Sequence, residues 1–203
     1  MGAEIIAWSF TSGWASGINA YAVVLVMGLF GRFADVEVIP DVLTRPDVLI
    51  AAAVLFGAEM IADKIPGLDS IWDTAHTVIR PAMGATVAYL MANQSAGLDA
   101  AFAAATGGVT ALASHAVKAG IRLGVNTSPE PASNVLVSTA EDAAVAGVVS
   151  LAVAQPWAAA GVAALLLIAG AVVVFLLLSR VRTLKAKYDE WGTRQLGKLN
   201  KPL

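Results

Sequence analysis

The chain has no cysteine. Disulfides, thiolate metal centres, iron–sulfur clusters and cysteine nucleophiles are excluded, and cysteine usage says nothing of the redox compartment. Histidine is almost absent: His76 and His115 are the two among 203 residues, too few for a histidine-rich metal site. Charge is scarce, at 14% of residues, against about 25% in an ordinary soluble domain. The formal net charge is -2, so no basic field speaks for a nucleic-acid partner. The first ten residues hold one charge, Glu4. Without a basic stretch there, no signal peptide is expected and the N-terminus is expected to be retained. No period-two pattern is sustained, which argues against a membrane barrel. What remains is apolar: 58% hydrophobic residues and a mean hydropathy of +0.73, the composition of a polytopic membrane protein.

Charged residues divide the chain into six segments. Ile5 to Gly31 is free of charge, but Ser9 to Asn19 reads S-F-T-S-G-W-A-S-G-I-N, and the cleaner helix is Ile18 to Phe30. A polar loop, Arg32 to Asp47, follows. Segment two is Val48 to Ala62, apolar but for Glu59. Segment three, Ser70 to Ala92, has a polar first half and is interrupted by Pro81. Segment four is Leu98 to Val125, rich in Ala and Gly. After N-T-S-P-E-P-A-S-N (Asn126 to Asn134), segment five runs from Val135 to Val153 with Glu141 and Asp142. Segment six, Trp157 to Ser179, is 23 residues without charge. At 1.5 Å per residue it covers roughly 35 Å and crosses a bilayer unaided. The expectation is an all-α, polytopic transmembrane helical bundle of about six spans over residues 1–179, with five also compatible, followed by a basic tail, 180–203.

Lysine and arginine placement sets the orientation. The tail holds seven of the thirteen, so the C-terminus is expected in the cytoplasm. With six spans the N-terminus is expected there too. The loops after segments three and five carry no Lys or Arg, as outside loops should. The tail also places Leu184, Tyr188, Trp191 and Leu196 at spacings of 4, 3 and 5 among basic residues. That suits either a helix lying on anionic lipid or a solvated tail that only sets orientation.

Polar residues inside the segments fall in stripes. Asp69, Asp73, His76 and Arg80 are spaced 4, 3, 4 and share one helical face. His115, Lys118 and Arg122 form a second stripe, and Glu59 and Asp63, with Lys64 beside them, a third. Asn134, Ser138 and Glu141, with Asp142, form the fourth. Under the topology above, all four lie toward the cytoplasmic ends of segments two to five. A charge at the centre of a membrane helix costs roughly 2.5–3.5 kcal/mol on insertion scales. Such groups pair, line a wet cavity or stay at the interface. Acids and bases nearly balance here, so a polar cluster is expected where these four segments meet. The alternatives are local: Ser70-x-x-Asp73 fits a capping box, with Asp69 and Asp73 favourable at a helix N-terminus, and Lys118 and Arg122 would suit a helix C-terminus and snorkel to headgroups. No His/acid spacing matches a metal motif, and no motif calls for a cofactor.

A second feature is interrupted helix geometry. Candidate break positions are Ser16, Gly17 and Asn19 in the first segment, and Asn126, Pro129, Pro131 and Asn134 between the fourth and fifth. Transporters with inverted repeats expose backbone groups at such breaks, and segments one to three and four to six are compatible with two inverted three-helix halves. The other reading is packing, since Gly13-xxx-Gly17 and Gly120-xxx-Gly124 match the small-xxx-small helix contact.

Four stretches carry a resemblance: Ser16 to Ala20 (S-G-I-N-A), Ala62 to Pro81 (A-D-K-I-P-G-L-D-S-I-W-D-T-A-H-T-V-I-R-P), Ser114 to Arg122 (S-H-A-V-K-A-G-I-R) and Ser138 to Asp142 (S-T-A-E-D). Together they resemble the bacterial membrane proteins grouped as domain of unknown function 4126, over roughly residues 10 to 180. The resemblance implies a bacterial cytoplasmic-membrane protein and no particular reaction. Its motifs fall on Asp63, Lys64, Asp69, Asp73, His76, Arg80, His115, Lys118, Arg122, Glu141 and Asp142. The S-P-E-P stretch departs from the looser Gly/Ser sequence expected there, so no role is carried to Glu130.

Three functions stay open. A small secondary transporter or permeation protein would use Asp73, His76, Glu141 and Asp142 as proton or cation sites. Arg80, Lys118 and Arg122 would then bind an anion or pair with the acids. A non-catalytic subunit or scaffold of a membrane complex, or a homo-oligomer, would use the Ala- and Gly-rich faces. An enzyme acting on lipid headgroups would use Asp73 and His76 as acid and base, but no nucleophile sits in a known context.

Overall fold

The structure is a computed structural model. It describes residues 2–34, 36–65, 67–92, 98–126 and 131–199, with side chains for all of these except 2, 98, 131 and 184–199. The regular elements among them are helices: α1 (Gly2–Phe33), α2 (Asp41–Thr44), α3 (Pro46–Ala62), α4 (Leu68–Ala92), α5 (Leu98–Val125), α6 (Pro131–Ala154) and α7 (Pro156–Leu199). The six apolar segments of the sequence are α1 and α3 to α7, and the fold is an all-α transmembrane bundle. Ala3–Phe33, Asp99–Val125, Ala132–Ala154 and Pro156–Thr183 are long and apolar enough to cross a membrane. α3 is shorter, at 17 residues, and the first half of α4 is polar.

Small residues let the central helices touch backbone to backbone. Gly84, Ala88 and Ala92 of α4 face Ala100, Ala103, Gly107 and Ala111 of α5. A Cβ on Gly107 would overlap the Gly84 carbonyl, and one on Gly13 would overlap Gly107. Apolar attraction between helices is weak in lipid, and close packing of this kind holds them together. α4 also runs unbroken through Pro81, where an interruption was expected. One missing N–H does not break a 25-residue helix packed against α5.

Three further expectations are corrected. The stretch before Asn19 is helical: Ser9 Oγ donates to the Ile5 carbonyl at 2.7 Å and Ser12 Oγ to the Ser9 carbonyl at 3.4 Å, so the hydroxyls are satisfied inside the helix. Of the candidate break positions there, Asn126 follows the end of α5 and Asn134 lies inside α6, so neither breaks a helix. Pro131 opens α6, where its missing N–H costs nothing, while Pro129 and Glu130 lie outside the described residues. The break in α1 has no counterpart in α5, so the two three-helix halves differ. The tail backbone continues α7 without interruption to Leu199; Leu184, Tyr188, Trp191 and Leu196 lie outside the described side chains.

Asn19 has extended backbone angles, φ -149° and ψ 96°, and divides α1 into two half-helices. Its Oδ1 accepts the Ala22 backbone N–H at 2.9 Å, which caps the second half. The first half runs beside α5 in the same direction: Gly13 meets Gly107 and Gly17 meets Ala111. Ile5, near its start, packs where α4 ends and α5 begins, on Ala88, Ala92, Ala100 and Ala103. The second half turns back. Gly28 lies against Leu43 and Leu49, and Gly31 against Ile39 and Thr44, at the start of α3. α3 then carries the chain to the other end, where Glu59 reaches Arg80 and Asp63 reaches Arg122.

Both ends of α1 thus lie at one end of the bundle, with Asn19 at the tip of a hairpin between them. α7 parallels α5, with Gly120 on Val174 and Gly124 on Leu177, and leaves at the opposite end. The start of α1 and the far end of α7 lie at opposite ends of the bundle, where an even number of full spans would bring them to one end. The turn at Asn19 is the cause. The cysteine-free background allows a direct check. Single cysteines at Ala3 and Thr183 are expected to react with impermeant maleimide from opposite faces of sealed vesicles; labelling from the same face contradicts the hairpin.

Candidate functional site

The four polar stripes meet at the end of the bundle where α3 and α5 finish and α4 and α6 begin. Arg80, on α4, is fully buried. Its Nη2 donates to Glu59 Oε1 of α3 at 2.6 Å and its Nη1 to Asp73 Oδ1 at 2.8 Å. The same Nη1 lies 2.7 Å from Nδ1 of His115. Lys118, on α5, donates to Asp63 Oδ2 at 2.6 Å and sits 3.7 Å from both Glu59 and Glu141. Arg122, one turn on, donates to the Asp63 carbonyl and to Glu141 Oε2, each at 2.7 Å. Lys118 and Arg122 therefore point into the bundle and do not snorkel. The side chains of Arg80, Lys118 and Arg122 are at most 2% exposed.

The broken helix joins this network. Lys118 Nζ donates to the Ile18 carbonyl at 3.0 Å, at the C-terminal end of the first half-helix. Asn19 Nδ2 donates to Asp142 Oδ1 at 3.0 Å. Ser16 and Gly17 are helical and buried just before the break. Gly17 gives room for Ser114, whose Oγ donates to the Trp14 carbonyl at 2.6 Å. An end carbonyl and an N-cap meeting charge is the arrangement that interrupted membrane helices supply.

Other predicted residues are placed more locally. Asp69 Oδ1 accepts the N–H groups of Gly67 and Ser70, which makes it the turn-closing residue. Its Oδ2 accepts from Asn126, and Asn126 Oδ1 accepts from Asn134. Among the described residues Lys64 reaches the Met60 carbonyl and, at 3.5 Å, Ser138 Oγ. His76 does not pair with Asp73. Its Nε2 meets Tyr21 Oη at 2.9 Å, its Nδ1 meets the Trp72 carbonyl, and Trp72 stacks on its ring. The Asp73–His76 pair considered for a headgroup enzyme is not formed, since Asp73 is held by Arg80. Among the described residues no three His, Asp or Glu side chains converge to hold a metal.

Sequence reasoning passed over Tyr21, Trp72 and Thr77. Tyr21 and Trp72 hold His76, and Thr77 Oγ1 lies 3.1 Å from Nε2 of His115. Thr77 is one turn from both Asp73 and Arg80, the signal that could have found it. An aromatic residue in apolar sequence carries no such mark.

The charges do not balance. Glu59, Asp63, Asp73, Glu141 and Asp142 face Arg80, Lys118 and Arg122, a surplus of two carboxylates. Adding Asp69 and Lys64 leaves that surplus unchanged. Among the described residues Asp142 has no cation at ion-pair distance, and Glu59 Oε2 and Asp63 Oδ1 are buried without a partner. Uncompensated charge in a dry interior costs several kcal/mol, so the network has room for protons or a cation.

Residues 6–176 match the family model described as Domain of unknown function (DUF4126). No curated protein and no solved structure matches the chain.

Removing one member of a buried ion pair costs about 3–5 kcal/mol, whereas apolar replacement of the whole group is close to neutral. Arg80→Ala is expected to lower the thermal midpoint in detergent sharply. The triple change Glu59→Leu, Asp73→Asn, Arg80→Met is expected to recover most of it. Equal midpoints for the two variants would contradict a coupled triad.

Proposed function

The chain belongs to this family of unknown function, and from that premise we propose that it is a small secondary transporter whose buried carboxylates take up and release protons. The surplus of two carboxylates at the tip of a broken helix carries the reading. A network serving stability alone gains nothing from unpaired acids, and intramembrane ionisable groups gathered at a helix break suit an ion or proton path. Asp142 is the natural proton site, because Asn19 is its one hydrogen-bond partner among the described residues and Asn19 is the hinge of α1. Arg80, Lys118 and Arg122 hold the remaining acids in place.

The positive tail favours a cytoplasmic C-terminus. On this reading the charged end of the bundle faces the cytoplasm across a bacterial inner membrane and the N-terminus lies on the other side. A second reading, a subunit or scaffold of a larger complex, draws on α7, whose apolar stretch within Pro156–Thr183 is left almost wholly uncovered by the other described helices.

The deciding experiment is electrical. Proteoliposomes on a solid-supported membrane are challenged with organic cations, organic anions and neutral solutes under a pH gradient. At least one class is expected to give a pH-dependent current that falls at least tenfold in Asp142→Asn. No current with any class, together with a stoichiometric second membrane protein on gentle purification, would replace transport by the subunit reading.

A further inference from the structure

A cavity of about 250 Å³ lies between α5, α6 and α7, backed by Trp14 and Ile18 of the broken helix. Its walls are aliphatic, among them Val117, Ala140, Leu166 and Gly170. Ala140 and Leu166 are exposed, so the cavity opens toward the bilayer. Its polar end is the Lys118–Glu141 pair. The two ends of that pair are not equally free. Lys118 is 3% exposed and committed to Asp63 and the Ile18 carbonyl, with Glu59 and Glu141 at 3.7 Å. Two of its three N–H groups are used by Asp63 and the Ile18 carbonyl, and its charge is opposed by three carboxylates. Glu141 uses Oε2 for Arg122, and among the described residues Oε1 accepts no hydrogen bond. Its side chain is 15% exposed, more than any other carboxylate joined by an ion pair within the network.

We infer that this cavity binds a lipophilic organic cation, with apolar groups against α5 to α7 and its positive centre at Glu141. Charge complementarity decides the sign. The wall adjoins a network with two surplus carboxylates, and the cation that lines it, Lys118, is already opposed by Glu59, Asp63 and Glu141, so an anion would meet repulsion and a neutral molecule would gain from apolar burial alone. The cation exchanges for one of the protons that offset the surplus carboxylates of the network, so charge balances: one cation enters, one proton leaves. This substrate class rests on the transport reading above, but binding is measured without transport.

The test uses the full chain in lipid nanodiscs with two probes of nearly the same shape and opposite charge, tetraphenylphosphonium and tetraphenylborate. Equilibrium dialysis is expected to show saturable binding of tetraphenylphosphonium, weakening as pH falls and releasing about one proton per cation. Tetraphenylborate is expected to show partition into lipid only. Glu141→Gln is expected to weaken cation binding at least tenfold. Because that change also leaves Arg122 without an acid partner, Ala140→Trp is the second variant. It fills the cavity, leaves every charge in place, and is expected to weaken binding by a similar factor. Equal binding of both probes, or cation binding indifferent to Ala140→Trp, would overturn the inference and make the cavity a slot for lipid tails. Loss of the cation site with retained Asp142-dependent currents would overturn the substrate class alone. A Glu141-dependent cation site without any current would overturn transport and leave the site standing.

Discussion

Everything in this fold answers to the cost of burying charge. Arg80, Lys118 and Arg122 are closed off from solvent, and each is affordable only because carboxylates from other helices reach it. Arg80 needs Glu59 from α3 and Asp73 from its own helix. Lys118 and Arg122 both need Asp63 at the end of α3. The charged network thus dictates where α3 must end, how α4 and α5 pair, and which face of α6 turns inward. The small-residue contacts between α4 and α5 serve the same end, because Gly84 and Gly107 bring the two backbones close enough for Thr77 and Arg80 to meet His115.

The hairpin in α1 follows from the same constraint. A helix passing straight through would occupy the space that the network fills. Turning back at Asn19 leaves that space to side chains and lends them two backbone groups, the Ile18 carbonyl and the capped start of the second half-helix. One residue therefore does three things. Asn19 ends one half-helix, caps the next and holds Asp142. A shift of the hinge would change the partner of Asp142, and a change of charge on Asp142 would alter the hinge.

Much of this was legible in the residues. Spacings of three and four set the stripes on their helices without any structure, and the near balance of acids and bases implied that the stripes meet. Their pairing was not legible, since nothing in a stripe tells Asp63 to choose Lys118 over Lys64. Ser16-Gly17-Ile18-Asn19 marked the break, but the serines and glycines before it argued against a clean helix there. Inside a bundle those residues satisfy themselves along the helix and permit close contact. The reversal of α1 was invisible because a local break does not specify its angle. That angle is set by where Gly13, Gly17, Gly28 and Gly31 find partners, and those partners are distant in sequence. Hence α1 starts at the end of the bundle opposite to where α7 leaves, which an even count of full spans does not give, while the count of apolar segments held.

The central claim is that the buried network holds more carboxylates than cations and stores the difference as protons beside the hinge. Infrared difference spectroscopy of the reconstituted protein across a pH step tests it most directly. The account predicts a carbonyl-stretch band from a protonated carboxyl group in a dry environment that disappears in Asp142→Asn while the helical amide bands stay unchanged. A spectrum without any protonated-carboxyl band between pH 5 and pH 8, roughly the window in which physiological protonation switches operate, would contradict it.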